Sequence, residues 1–144
     1  MPTRSLAGLP STAAVGTPYT GSFTCTNGGG ADATAGTLCS VAGLPAGLAV
    51  GTCTISPSGT PWTEGGSVPA GATVTCPVSG TPTAPGSSTV TGTTGATNDS
   101  NLGNDTATRQ IATAAPDMGI SLDGLPSTST VGVPYKGTFS CTNG

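Results

Sequence analysis

Histidine is absent from this chain, and charge nearly so. Arg4, Arg109 and Lys136 stand against Asp32, Glu64, Asp99, Asp105, Asp117 and Asp123 among 144 residues. Without an imidazole, neither a Ser–His nor a Cys–His nucleophile can be assembled. Six scattered acids offer no defined pair for glycoside hydrolysis, Glu64 and Asp105 being the nearest approach to one. The sequence therefore reads as a non-enzyme. Three dispersed cations cannot neutralise a run of phosphates, which excludes nucleic acid as a partner. No apolar run approaches the roughly 20 residues that a membrane-spanning helix requires. Aromatic residues are scarce too, with one Trp, two Phe and two Tyr. Any core must be thin and depend on Val, Leu and Ala.

What the chain does have is Thr, Ser and Gly in place of charge (28, 15 and 24 residues), and a copy of its own beginning. "GLPSTAAVGTPYTGSFTCTNG" at 8–28 returns as "GLPSTSTVGVPYKGTFSCTNG" at 124–144, identical at 15 of 21 positions and offset by 116 residues. Such fidelity marks tandem repetition. The expected organisation is a complete unit over residues 1–116, followed by the first two strands of the next over 117–144. A longer protein is expected to continue beyond it and to carry any export signal.

The two-residue period of half-buried strands recurs along the unit. In 19–27, Tyr19, Phe23 and Cys25 share one face while Thr20, Ser22, Thr24 and Thr26 share the other. "ATVTCPV" places Ala72, Val74, Cys76 and Val78 together, with Pro77 on the outward phase, where it signals an edge or a bulge. Shorter strands are expected at 3–7, 37–42, 49–55, 88–94, 105–111 and 119–123, separated by Pro–Gly clusters such as "GLPAG" and "VPAG". Several short strands with turns between them indicate a two-sheet sandwich. Cys25, Cys39, Cys53 and Cys76 form an even set in a weakly apolar domain. They read as two disulfides formed in an oxidising compartment, hence an extracellular or cell-surface protein. Cys141 repeats Cys25 and is left unpaired or intermolecular.

The order of "PYTGSFTCTNGG", "VAGLPAGLAV", "VPAGATVTCPVSG" and "VTGTTGATNDSNLGNDTAT" resembles the DUF11-type bacterial surface repeat. The resemblance implies an all-β, Ig-like seven-stranded Greek-key sandwich, tandemly repeated, in large secreted or surface-anchored proteins. It also implies that the strands bearing Cys25 and Cys76 lie side by side. That favours Cys25–Cys76, with Cys39–Cys53 closing the "GLPAG" turn; the other two connectivities stay open.

Two stretches are candidates for sites. Asn98, Asp99, Asn101 and Asp105 gather oxygens suited to Ca²⁺, though the commoner role of such residues is an Asx-rich turn capping its own backbone. No other cofactor is expected. Trp62 is either an exposed contact for a glycan or subunit, or a lid on the sandwich. The sequence thus leads to a structural stalk or fibre whose partners are neighbouring repeats or identical subunits. The alternatives are an adhesin module that recognises a surface glycan or protein, and a filament assembled by strand complementation.

Overall fold

The computed structural model describes residues 2–144, and among these every regular element is a strand except one 3-10 turn at Leu102–Asn104. No helix among them is long and apolar enough to cross a membrane. The chain divides into two units, Met1–Ala114 and Ala115–Gly144.

Unit 1 holds β1 (Pro2–Ser5), β2 (Thr12–Ala14), β3 (Tyr19–Asn27), β4 (Leu38–Ala42), β5 (Leu48–Val50), β6 (Cys53–Ser56), β7 (Thr60–Trp62), β8 (Thr73–Gly80), β9 (Gly86–Gly95) and β10 (Thr106–Ala114). One sheet runs β1-β3-β8-β6-β7, with β5 also paired to β8; the other runs β2-β10-β9-β4. The alternation of the sequence sets the packing. Tyr19, Phe23 and Cys25 of β3 and Val74, Cys76 and Val78 of β8 are buried against Val90 of β9 and Ile111 of β10. The result is an all-β sandwich with a core of few aromatics.

The strands number more than the seven expected, for local reasons. The expected strand 49–55 breaks at Gly51 and Thr52 into β5 and β6, and both pair with β8. Pro77 lies opposite the break. Ser22 N–H donates to Gly8 O (3.1 Å), so the Ser22–Pro77 pair carries no bond between β3 and β8. The proline nitrogen therefore faces the interruption, where Pro77 O accepts from Gly51 N (2.9 Å). Pro77 thus sits in an interior strand at a bulge, not at an edge. The expected leading strand 3–7 stops at Ser5. Leu9 N then bonds Leu6 O (3.0 Å), and the chain crosses to the second sheet as β2, parallel to β10. β2 and β7 have three residues each, too few to register as a period.

The "GLPAG" turn carries the chain from β4 in one sheet to β5 in the other. Gly47 takes φ +94°, and a Cβ there would overlap Thr81 O, so glycine meets both conditions at once.

Unit 2 contains β11 (Met118–Ser121) and β12 (Ser140–Asn143). Their register, Met118↔Asn143 to Ser121↔Ser140, is that of Pro2↔Asn27 to Ser5↔Thr24 advanced by 116. The local bonds recur as well. Leu125 N donates to Leu122 O (2.9 Å), Thr138 N to Gly124 O (3.0 Å), and Tyr135 OH to Pro126 O (2.6 Å). Tyr19 OH to Pro10 O (2.8 Å) is the counterpart of the last.

Candidate functional site

The disulfides join Cys25 to Cys39 and Cys53 to Cys76, which corrects the expected pairing of Cys25 with Cys76 and Cys39 with Cys53. The reason lies in register and sheet membership. Cys25 is directly opposite Val74, with Cys76 two residues away opposite Phe23, so the two cysteines are diagonal neighbours and not a facing pair. Cys39 approaches Cys25 from β4 in the other sheet, Cα to Cα 6.0 Å, and ties the two layers together. The chain crosses layers between Cys39 and Cys53, which separates them. β6 then runs beside β8 with Thr54 opposite Thr75, bringing Cys53 against Cys76 at a Cα separation of 4.2 Å.

Trp62 is a core residue, 7% exposed, which agrees with a lid on the sandwich and overturns the alternative of an exposed contact. It stands opposite Cys53 in the β6–β7 hairpin, and its Nε1–H donates to Ser67 O (3.2 Å). The indole thus packs on a disulfide and satisfies its one polar group with backbone.

Arg4, in the sequence only one of three scattered cations, has a two-residue phase with Leu6 that places it on the inward face of β1. Its guanidinium reaches between the sheets, lies over the Phe23 ring at 5.1 Å and donates through Nη2 to Ser40 O on β4. Nε and Nη1 are buried without acceptors. Desolvation lowers its pKa to about 10, partly offset by the nearby negative charge of Glu64. Gly92 on β9 makes the room, since a Cβ there would overlap the Arg4 side chain. In the second copy the position of Arg4 is held by Ile120.

The end of the sandwich where β3 finishes is organised by Asn27, the residue that closes the strand in the repeat-like motif, 2% exposed. Its Nδ2 donates to Ala31 O and Val68 O (both 2.9 Å), while Oδ1 accepts from Gly29 N (3.1 Å). A cleft of about 200 Å³ opens beside it, lined by the 29–33 and 96–100 segments.

The four residues expected to gather oxygens for a cation flank this end and mostly serve the backbone. Asn98 Oδ1 accepts from Thr34 N (3.2 Å), and its Nδ2 donates to Asp32 O (3.1 Å). Asp99 Oδ1 accepts from Asn101 N (3.0 Å), and Asn101 Oδ1 accepts from Gly103 N (3.2 Å) to cap the 3-10 turn. Burial, together with the charge of Asp99, raises the pKa of Asp105. No group of three His, Cys, Asp or Glu side chains able to hold a metal occurs among the described residues.

Unit 2 presents the same apolar face uncovered. Phe139 is 64% exposed where Phe23 is 1%, and Leu125 is 39% exposed where Leu9 is fully buried. Ile120, Leu122 and Tyr135 are exposed as well, and Cys141 is a free, exposed thiol.

No protein-family model matches the chain, and no curated protein matches it. Among solved structures, the CARDB domain of a Pyrococcus furiosus protein, crystallised in complex with di-metal ions, is similar with a TM-score of 0.54 at 19% identity. That match covers 79% of this chain and 88% of the other. The solution structure of the same domain gives 0.52 at 21% identity, covering 78% and 93%. At such identities the likeness is one of fold: the chain carries a CARDB-like β-sandwich.

Proposed function

We propose that the chain is a non-catalytic structural repeat of an extracellular stalk or fibre on a bacterial surface. The observation that carries this reading is the recurrence, 116 residues on, of the same strand pairing in the same register, with the same turn bonds. An array of sandwiches, each closed by its own disulfides, gives length and stiffness without charge or cofactors. On this reading, which the strand order supports, the ten strands of unit 1 correspond to the seven of an Ig-like Greek key of DUF11 type. β1 and β2 are one strand that switches sheets, β5 and β6 are one strand broken opposite Pro77, and β7 is an added hairpin arm. The sheets then read A-B-E-D and G-F-C, which is the Ig arrangement. Two disulfides suit export to an oxidising compartment.

Immunogold electron microscopy of intact source cells, with antibody raised against unit 1, tests the proposal. Label along filaments outside the envelope is the expected result. Label confined to the cell interior would refute it.

A further inference from the structure

Residues 2–15 run the length of the sandwich in unit 1. Pro2 is opposite Asn27, the last residue of β3, and Ser5 is opposite Thr24. Gly8 O then accepts from Ser22 N (3.1 Å), and Pro10 O accepts from the hydroxyl of Tyr19, the first residue of β3 (2.8 Å). From there Ser11 O accepts from Ala112 N (2.9 Å), and Val15 N donates to Ala114 O (3.0 Å). The chain therefore enters at the Asn27 end of the sandwich. It leaves β10 at Ala114, beside Val15, at the Tyr19 end. The nine residues of β3 separate these ends by roughly 25–30 Å. β2 is parallel to β10 and β1 is antiparallel to β3. Tension between Pro2 and Ala114 thus slides β2 along β10 and β1 along β3. Bonds that lie across the sliding direction share the load, whereas strands parted from one end lose their bonds one at a time.

We propose that residues 2–15 are a strap that bears tension through the unit, which stays closed under load until this strap slips. The proposal rests on the stalk reading and names the part of the unit that carries the load. The strap belongs to both sheets, β1 to one and β2 to the other. Beneath it the layers are joined covalently, because Cys25–Cys39 ties β3 to β4 in the sheet that contains β10. The strap is then the weaker, non-covalent step. A parallel ladder is evenly spaced, so about four bonds hold β2 to β10 between Ser11 and Val15. The Val15 bond is the one next to Ala114, where tension enters β10. It can also be removed without disturbing the local backbone. Thr17 N donates to Ala14 O (3.1 Å) and Gly16 takes φ +78°, so Val15 holds the second position of a type II turn, where proline is favoured. Val15→Pro deletes one strap bond, while the lost bond and the stiffer unfolded chain act on stability in opposite directions.

Single-molecule pulling of the full-length, non-reduced chain tests the proposal. Handles at residues 1 and 115 load the strap lengthwise, and unit 1 should open in one sharp event. Moving the first handle to Thr17 takes the strap off the load path. It pulls β10 away from the end that it shares with β2, and the opening force should fall severalfold. With handles at 1 and 115, Val15→Pro should lower the force by about a quarter, one bond of about four. Its urea midpoint, followed by Trp62 fluorescence, should stay near that of the wild type. The comparison of directions uses the wild-type chain and so holds whatever the variant does to folding. The proposal is overturned if both directions open unit 1 at the same force, if unit 1 lengthens gradually with no distinct event, or if Val15→Pro opens at the wild-type force. Cellular location enters none of these measurements, so the pulling and the immunogold labelling can fail separately.

Discussion

Removing the side chain of Arg4 and adding one methyl at Gly92 should show strong coupling, because the two positions occupy the same space between the sheets. In the wild type, Gly92→Ala places a Cβ against the Arg4 side chain, within 2.6 Å of Cδ and closer still to Nε and Cζ. The guanidinium must then leave its seat. It forfeits a charged hydrogen bond to Ser40 O, worth about 1.5–3 kcal/mol, and the ring contact with Phe23, worth about 0.5–2 kcal/mol. Against that loss stands the recovered solvation of a group whose pKa is lowered to about 10 by burial. The net cost is about 1–3 kcal/mol, the usual penalty of overpacking. In an Arg4→Ala background the obstacle is gone. The same Gly92→Ala change then only reduces backbone freedom in the unfolded chain and should be neutral or stabilising by about 0.4–1 kcal/mol. The coupling energy is therefore about 1–4 kcal/mol. Urea unfolding of the four non-reduced proteins, followed by the fluorescence of Trp62, measures it directly. Additivity to within about 0.5 kcal/mol, as for independent sites, would refute the placement of Arg4 between the sheets.

Asn27→Ala should cost about 2–3 kcal/mol by orphaning Gly29 N–H and unmaking two bonds to carbonyls, read from the urea midpoint; a loss under about 0.5 kcal/mol would contradict its role. Peptide mapping without reduction should recover Cys25–Cys39 and Cys53–Cys76, and replacing either pair by Ala should cost about 3 kcal/mol for loops of 14 and 23 residues. In single-molecule extension those closed loops hide chain, so reduction should lengthen unit 1 by about 130 Å at roughly 3.6 Å per residue; an unchanged length would rule out both bridges. Asp105 has its pKa raised above 3.8 by burial and by Asp99, so folding favours its protonated form, and that stability is complete below pH 3.8 and lost as pH rises through the raised value. Asp105→Asn should therefore melt higher than the wild type at pH 7 and match it near pH 3; an equal gap at both would discount the repulsion.

The parts of this fold that are local were legible in the sequence, and the parts that depend on which sheet a strand joins were not. The burial of Phe23, Cys25, Val74 and Cys76 follows from alternation alone, because a strand packed on one face has no other way to divide Thr from Phe. The disulfide pairing does not follow. It depends on β4 and β6 entering different sheets, and no residue between Leu38 and Ser56 encodes that crossing except the Gly43 and Gly47 turn, which fits a hairpin equally well. Trp62 was ambiguous because its strand is three residues long, too short to carry a phase. Arg4 was readable from its phase with Leu6, and the Ile at position 120 repeats the hint: a site that accepts either residue is an apolar one. Asn27 was legible as the end of a strand but not as a buried residue, since an Asn before Gly–Gly at a strand end also describes an exposed turn.

Sheet edges connect the fold to its proposed use. The four longest strands of unit 1, β3, β8, β9 and β10, are all interior to their sheets, and the edges are β1, β5, β7, β2 and β4, of three to five residues. Short edges offer little template for pairing with other chains, so a complete unit with almost no surface charge can stay separate from its neighbours.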